Sequence, residues 1–164
     1  MQFIQPMLAV LLGAALLPFA QQAAHAQQAA PSGPPPGRQA IEARKAVFAL
    51  IGNNFKPIGE TLQGKRPYDA ADIQKRAARV AFLADLIDET ITDASNTGLP
   101  DTKAKAEIWS DRANFDKKLA EFREHAATLA KVSATEKTAS DAFKTAAAAV
   151  GQDCKSCHEA FKVK

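Results

Sequence analysis

The chain lacks several patterns that would place it in common classes of protein. No segment shows a sustained alternation of apolar and polar residues, so no half-buried β-strand is predicted. No apolar run is long enough to cross a bilayer of ~30 Å as a helix, and the most apolar run covers only residues 7–20. Basic and acidic residues, 21 against 18, alternate along the chain. This pattern excludes the clustered basic stripe of a nucleic-acid-binding protein.

The apolar run near the N-terminus predicts a secretory signal peptide. It is followed by Ala24-His25-Ala26, a small-x-small cleavage site, so we expect residues 1–26 to be removed on export to the periplasm. Residues 27–37 are rich in proline and glycine, which predicts a flexible leader. Residues 38–164 have the size of a single domain.

Apolar residues recur at spacings of three and four throughout this domain, which predicts helices. Asp69 is a predicted N-cap for the second helix, and Ser133-x-x-Glu136 is a predicted capping box that opens the fourth. The four predicted helices cover about residues 38–62, 69–92, 108–129 and 134–162. Because their connections are short, we expect an all-α fold, an antiparallel four-helix bundle.

The two cysteines of the chain both lie in one motif, Cys154-Lys155-Ser156-Cys157-His158. This C-x-x-C-H pattern is typical of covalent haem attachment. On a helix, positions i and i+3 share a face, so both thiols can reach the two vinyl-derived carbons of a haem edge while His158 binds the iron. A redox-active C-x-x-C pair is the alternative, but it usually accompanies a βαβ unit. We therefore predict one haem c, held through Cys154 and Cys157, with His158 as the metal ligand.

A second axial ligand is hard to find in this sequence. Both methionines, Met1 and Met7, lie in the predicted signal peptide, so the mature chain offers no thioether. His125 lies beside the apolar seam of the third helix and remains the alternative sixth ligand, that of a low-spin electron carrier. Otherwise the iron is predicted to be five-coordinate with an apolar distal side, which suits a small diatomic gas or electron transfer.

Two residues of the first helix are predicted to meet the haem. Arg44 occupies an inward position where a guanidinium is costly unless it meets an anion, and the haem propionates are two carboxylates of this kind. A side chain that reaches water at the end of the bundle is the alternative for Arg44. Phe48 lies one turn later in the same seam and is predicted to cover the haem face, a role compatible with ordinary core packing.

The arrangement resembles the cytochromes c′, which are four-helix periplasmic haem proteins with a C-x-x-C-H motif near the end of the last helix. The resemblance extends over nearly all of residues 38–164. Besides the haem motif, it rests on Arg44-Lys45, Pro67-Tyr68-Asp69-Ala70-Ala71, Glu107-Ile108-Trp109-Ser110-Asp111 and Glu159-Ala160-Phe161-Lys162.

The resemblance implies a high-spin haem and a set of residues around it. The distal position, more often Leu or Met in the family, is Phe48 here, so an aromatic ring is expected to hinder gas entry. Lys162 stands where the family often has Arg, which keeps the cation but loses its planar fork. Family members are commonly homodimers through the first two helices. The expected haem-binding residues are Arg44, Lys45, Phe48, Asp101, Thr102, Cys154, Cys157, His158 and Lys162.

Three functions follow from these features. An open iron site favours the binding of a small diatomic gas, nitric oxide or carbon monoxide. An electron carrier for periplasmic redox partners is the second function, because Lys155, Lys162 and Lys164 offer a docking surface for an acidic partner. A weak peroxidase is the third, but the distal Phe48 supplies no acid or base, so we expect the protein not to be an enzyme.

Overall fold

Five α-helices and two short 3₁₀ turns make up the part of the chain that the structure, a computed structural model, describes: residues 33–98 and 100–164. The helices are α1 (Pro36–Leu62), α2 (Ala70–Asp85), α3 (Glu107–Ser110), α4 (Arg112–Thr135) and α5 (Asp141–Phe161). No helix in the described ranges is both long and apolar enough to span a membrane. The predicted signal peptide and residues 27–32 of the predicted leader lie outside the described residues.

The four long helices form a bundle in which each packs against two others. α1 lies against α2 and α5, and α4 lies against α2 and α5. The start of α2 meets the end of α4, where the Tyr68 hydroxyl donates to the carbonyl oxygen of Glu136 at 3.3 Å. Arg112 at the start of α4 forms an ion pair with Asp88, just beyond the end of α2. The two helices are therefore antiparallel, and the predicted all-α, antiparallel four-helix bundle is confirmed.

The second helix is shorter than its apolar pattern predicts. Asp69 is its N-cap, as expected, and its carboxylate accepts from the Asp72 N–H at 3.1 Å. The helix ends at Asp85, and a 3₁₀ turn follows over Asp88–Thr90. There the Thr90 hydroxyl donates to the Ile87 carbonyl oxygen at 2.6 Å, a local bond that competes with continuation of the helix.

The predicted capping box at Ser133 and Glu136 is wrong. Ser133 is buried inside α4, where its hydroxyl has no hydrogen-bond partner among the described residues. The last helix begins later and is capped by Ser140, whose hydroxyl accepts from the Phe143 N–H at 3.2 Å. Because position 133 continues the inward seam of α4, packing extends that helix past a residue with good capping chemistry.

The first helix begins at Pro36, inside the segment predicted as a flexible leader. Proline suits the first turn of a helix because it lacks the N–H that would stay unpaired there. Gly37 is buried, and a methyl group in its place would clash with the carbonyl oxygen of Ala94. Ala94 belongs to the second 3₁₀ turn, Asp93–Ser95, so close packing against that turn fixes the start of the helix.

The segment after the second 3₁₀ turn is fastened to the C-terminal end of α5. The Lys105 N–H donates to the Phe161 carbonyl oxygen at 2.9 Å, and the Val163 N–H donates to the Lys103 carbonyl oxygen at 2.8 Å. The ammonium of Lys105 also donates to the carbonyl oxygens of Glu159 and Ala160, at 3.2 and 3.1 Å. The bonds to the carbonyl oxygens of Glu159, Ala160 and Phe161 satisfy groups that the end of a helix leaves free.

Candidate functional site

The C-x-x-C-H motif lies in the last two turns of α5, where helical spacing brings its three reactive side chains to one side. Cys154 and Cys157 are partly buried and His158 is exposed, and the two cysteines form no disulfide with each other. The side chains of both cysteines pack against the hydrophobic core. A relaxed disulfide needs Cβ atoms closer than the ~5–6 Å of an i, i+3 pair, so this spacing favours attachment to a third group.

Desolvation by burial favours the neutral forms of all three groups of the motif. It raises the pKa of Cys154 to about 11, with smaller contributions from Asp153 and Cys157. Burial also raises the pKa of Cys157, although the charge of Lys118 opposes the shift. It lowers the pKa of His158, as Lys162 also does. A neutral imidazole is the form of histidine that binds a metal.

These residues open onto a cleft of about 570 Å³ between α1, α4 and α5. Its α1 wall is formed mainly by carbon atoms, including the ring of Phe48, which is 40 % exposed. The lining residues are Phe48, Ala49, Ile51, Gly52, Phe55, Lys56, Ile87, Ile108, Phe115, Lys118, Leu119, Phe122, Asp153, Cys154, Cys157, His158, Phe161 and Lys162.

The chemistry of this cleft fits a haem. Its volume lies in the range of cofactor pockets, and such pockets are mostly apolar with a few polar groups. The two thiols and one imidazole stand along the α5 wall, as covalent attachment and iron ligation require. Three lysines, at positions 56, 118 and 162, contribute cationic groups to the same lining. They would offset the charge of a cofactor with two carboxylates.

Arg44 is buried, as predicted, but it does not line the cleft. Its guanidinium donates to the Ser95 hydroxyl at 3.1 Å, to the Thr102 hydroxyl at 3.2 Å and to the Thr90 carbonyl oxygen at 3.4 Å. It also lies over the Trp109 ring, 5.6 Å from the centroid. Burial lowers the pKa of Arg44. Neutral oxygen atoms rather than a carboxylate therefore satisfy this cation in the structure.

Three other residues that were expected to bind the haem lie in different surroundings. Thr102 is buried and binds Arg44 directly. Lys45 is exposed and pairs with Glu42 at 2.9 Å. Asp101 lies 3.7 Å from Arg38 in a surface ion pair. The structure thus brings Arg44 together with Thr102, while neither Lys45 nor Asp101 lines the cleft.

His125 lies outside the cleft. Its Nδ1 is 2.7 Å from the Asp153 carboxylate, and its side chain is 41 % exposed. The ring lines a separate groove between α4 and α5. Asp153 stands between the two sites, because its side chain binds His125 and also lines the cleft. In this arrangement the imidazole does not face His158 across the cleft.

Three charged residues of the cleft, Lys56, Lys118 and Asp153, were not among the site residues predicted from the sequence. Lys118 follows Phe115 by three positions, so its place on the inward face of α4 could have been read from helical spacing. Its ammonium lies 3.4 Å from the Ser156 hydroxyl, inside the C-x-x-C-H motif. Asp153 directly precedes Cys154, and its side chain is only 12 % exposed, because it packs between His125 and the cleft.

The four-helix bundle and the C-x-x-C-H motif on its last helix define a c-type haem protein. The family model described as Cytochrome C' matches residues 39–162 of the chain. The chain belongs to the cytochrome c′ family. Members of this family bind one c-type haem, and Cys154 and Cys157 fit its attachment motif, so the predicted cofactor is confirmed.

Relatives of known sequence and structure agree with this assignment. Cytochrome c' of Cereibacter sphaeroides is 36 % identical over 96 % of this chain and 97 % of its own length. The structure of cytochrome c prime from Shewanella frigidimarina has a TM-score of 0.74 and 39 % identity, and the match covers 80 % of this chain and all of that one. The nitric oxide complex of a variant of cytochrome c prime from Alcaligenes xylosoxidans has a TM-score of 0.70 and 27 % identity, over 78 % of this chain and 96 % of that one.

Proposed function

We propose that this chain is a periplasmic, high-spin haem protein that binds nitric oxide at a five-coordinate iron and exchanges electrons with redox partners. One observation carries the proposal. The described cleft has the imidazole of His158 on its α5 wall, and its α1 wall presents mainly carbon atoms. When bound, the haem supplies an iron that can change its charge by one electron and accept a diatomic gas. A wall of this kind offers no good iron ligand, so a gas could bind to the iron on that side.

The residues of α5 hold the cofactor in this proposal. Cys154 and Cys157 fix one edge of the ring covalently, and the neutral His158 binds the iron. Lys162 lies one turn after His158 and contributes positive charge to the same side of the cleft. Because a lysine has no planar fork, it acts as a point charge and not as a bidentate partner.

Arg44 has capacity for a haem carboxylate in addition to its contacts in the structure. A guanidinium has five N–H donors, and three contacts occupy donors of Arg44. The remaining donors can bind one propionate if it reaches the end of the cleft beyond Phe48. We propose this role for Arg44, with Thr102 fixing the orientation of its guanidinium. Lys45 and Asp101 then act near the surface, as more distant charges.

Nitric oxide is the gas that the comparisons favour. The solved structures similar to this chain include three nitric oxide complexes of variants of cytochrome c prime from Alcaligenes xylosoxidans, with 27, 28 and 27 % identity. The ring of Phe48 lines the wall where a distal ligand would bind. We propose that it slows the entry of a gas on that side.

A catalytic function is not part of this proposal. A peroxidase places an acid or base next to the bound oxygen, whereas the cleft wall near Phe48 is formed mainly by carbon atoms. Lys56 also lines this wall, but its ammonium is paired at the surface with Glu60, 4.0 Å away.

Two features outside the cleft extend the proposal. The predicted cleavage after Ala26 favours export, and the mass of the mature chain, starting at Gln27 with one haem added, would test it.

A homodimer through α1 and α2 is favoured by two large apolar side chains on these helices, Leu50 (49 % exposed) and Phe82 (65 % exposed). Arg76 of α2 donates to the carbonyl oxygen of Asn53 in α1 at 3.2 Å. This contact sets the register of the two helices, so Leu50 and Phe82 lie at similar heights along the bundle.

Absorption spectroscopy tests the iron site directly. The full chain is expressed in a host that matures c-type cytochromes, and spectra are recorded before and after reduction with dithionite. We expect a broad ferrous band that changes on addition of nitric oxide. Sharp, split ferrous bands and no response to nitric oxide would contradict the proposal. The variant His125→Ala is the matched control, because bands that lose their splitting only in this variant would support the low-spin alternative.

A further inference from the structure

The tertiary fold gathers lysines from distant parts of the chain into one concave surface. A depression of about 310 Å³ at the C-terminal end of α5 is lined by Lys103, Lys155, Lys162 and Lys164, together with His158, Glu159 and Val163. We refer to the surface formed by these seven residues as the basic depression. Lys103 is more than fifty positions before the others in the sequence. It reaches them because the backbone of its segment is bonded to residues 161–163.

The charge of the basic depression is not neutralised inside the molecule. Its four lysine side chains are exposed, and none of the ion pairs among the described residues involves them. The one acidic side chain in the lining is Glu159. A concave surface with several cations and one anion focuses a positive potential.

The basic depression shares residues with the haem cleft. His158 and Lys162 line both, so the proposed iron ligand connects the two sites. A partner seated in the depression would contact a residue that also lines the haem cleft. Among the exposed surfaces described above, this one combines access to the redox centre with strong charge.

From this geometry we infer that the basic depression is the docking surface for an acidic redox protein, which passes one electron to or from the iron on the His158 side. This inference rests on the proposed electron-transfer function and names its partner class. In the reducing direction the acidic partner loses one electron and the ferric iron becomes ferrous. A protruding acidic surface fits a concave site better than a flat anionic membrane does, so we assign the depression to a protein.

Reduction kinetics test the inference with reduced flavodoxin, an acidic one-electron donor, as the probe. The holoprotein is mixed with this donor in a stopped-flow instrument between about 0.02 and 0.3 M ionic strength. We expect the double variant Lys103→Glu/Lys164→Glu to react about tenfold more slowly at low salt, and the difference to fall below about twofold at high salt. Glu159→Lys should react faster than the wild type.

A second double variant separates local charge from net charge. Lys131→Glu/Lys137→Glu makes the same charge change at exposed positions near the N-terminal end of α5, about 30 Å from the basic depression along a helix of this length. It should slow the reaction by less than about twofold. Equal slowing of both double variants would overturn the inference, as would a wild-type rate that does not depend on salt.

Binding without electron transfer gives an independent measurement. Oxidised flavodoxin is added to the ¹⁵N-labelled ferric holoprotein, and the amide signals of Lys103 and Lys164 should shift more than that of Lys137. Midpoint potentials of all variants must stay close to the wild-type value, because a changed potential alone could alter the rates. Anionic phospholipid vesicles test the membrane alternative. If the Lys103→Glu/Lys164→Glu variant no longer binds these vesicles but keeps its flavodoxin kinetics, the partner is a membrane and the inference of a protein partner is overturned.

The failure of this inference is distinguishable from the failure of the proposed function. In one case the protein matures with haem, is reduced by dithionite and binds nitric oxide, but the depression variants react with flavodoxin as the wild type does. That result overturns only the inferred docking surface. A protein that shows no five-coordinate ferrous spectrum contradicts the proposed function.

Discussion

The contact between Arg44 and Thr102 gives a sharp test of how this buried cation is held. We consider Arg44→Met and Thr102→Val, separately and together, in the holoprotein. Arg44 makes three hydrogen bonds in the structure, and each contributes about 1 kcal/mol net. Relief of the buried charge offsets part of that loss, since burial lowers the pKa of Arg44. We therefore expect Arg44→Met to lower the free energy of unfolding by about 2 kcal/mol.

The double variant isolates the single bond between the two residues. Because the Arg44 guanidinium donates to a buried hydroxyl at 3.2 Å, we expect a coupling energy of about 1 kcal/mol between Arg44→Met and Thr102→Val. The assay is denaturant unfolding of all four proteins, followed by far-UV circular dichroism. Arg44→Met combined with Tyr68→Phe is the control, because the Tyr68 hydroxyl binds Glu136 at the other end of α1 and α2.

Two outcomes would refute the reasoning about Arg44. A coupling energy below about 0.5 kcal/mol, no larger than that of the control pair, would mean that Thr102 does not hold the guanidinium in the holoprotein. Arg44 would then be turned toward another acceptor, and a haem propionate is the one that the sequence predicts. A rise in stability in Arg44→Met would mean that desolvation outweighs the three hydrogen bonds.

Three further predictions concern gas access, pH and assembly. Phe48→Ala should accelerate carbon monoxide binding to the ferrous protein roughly tenfold, which is equivalent to a barrier lower by about 1.4 kcal/mol. Flash photolysis measures this rate. A rate equal to that of the surface control Leu50→Ala would contradict the prediction. Asp72 accepts a hydrogen bond from Arg76, which lowers the pKa of Asp72. Asp72→Asn should therefore lower the free energy of unfolding by about 1 kcal/mol at neutral pH. The difference between variant and wild type should vanish as the pH falls through the lowered pKa of Asp72. A difference in their urea midpoints that persists at about pH 2 would argue against this. Phe82→Lys should convert a dimer to a monomer in light scattering, whereas a wild-type protein that is monomeric at every concentration would refute the proposed interface.

Local chemistry explains why much of the fold was predictable from the sequence. Inward positions at spacings of three and four are buried as expected, including Ile73, Ala77 and Val80 of α2. Asp69 caps α2 because a carboxylate before an apolar helical segment has an adjacent N–H to accept from. Such features depend on a few neighbouring residues, so a single sequence contains them.

The ends of the helices were less predictable because packing competes with local signals. Ser133 and Ser140 both have the chemistry of an N-cap, and only Ser140 caps α5. The choice follows from the packing of α4, which buries Ser133. In the same way, the 3₁₀ turn at Asp88–Thr90 ends the second helical segment although its apolar spacing continues to Ile91.

The sequence by itself determined the haem chemistry of this protein. Cys154, Cys157 and His158 are close in sequence, so helix geometry alone brings them together, and the family assignment follows from the same motif. The tertiary structure decided what lies around them. It brings Arg44 to Thr102, turns His125 to Asp153 and places Lys103 beside the end of α5. These residues are separated by dozens of positions, and their contacts depend on how the helices and the long connection pack, which helical periodicity does not contain.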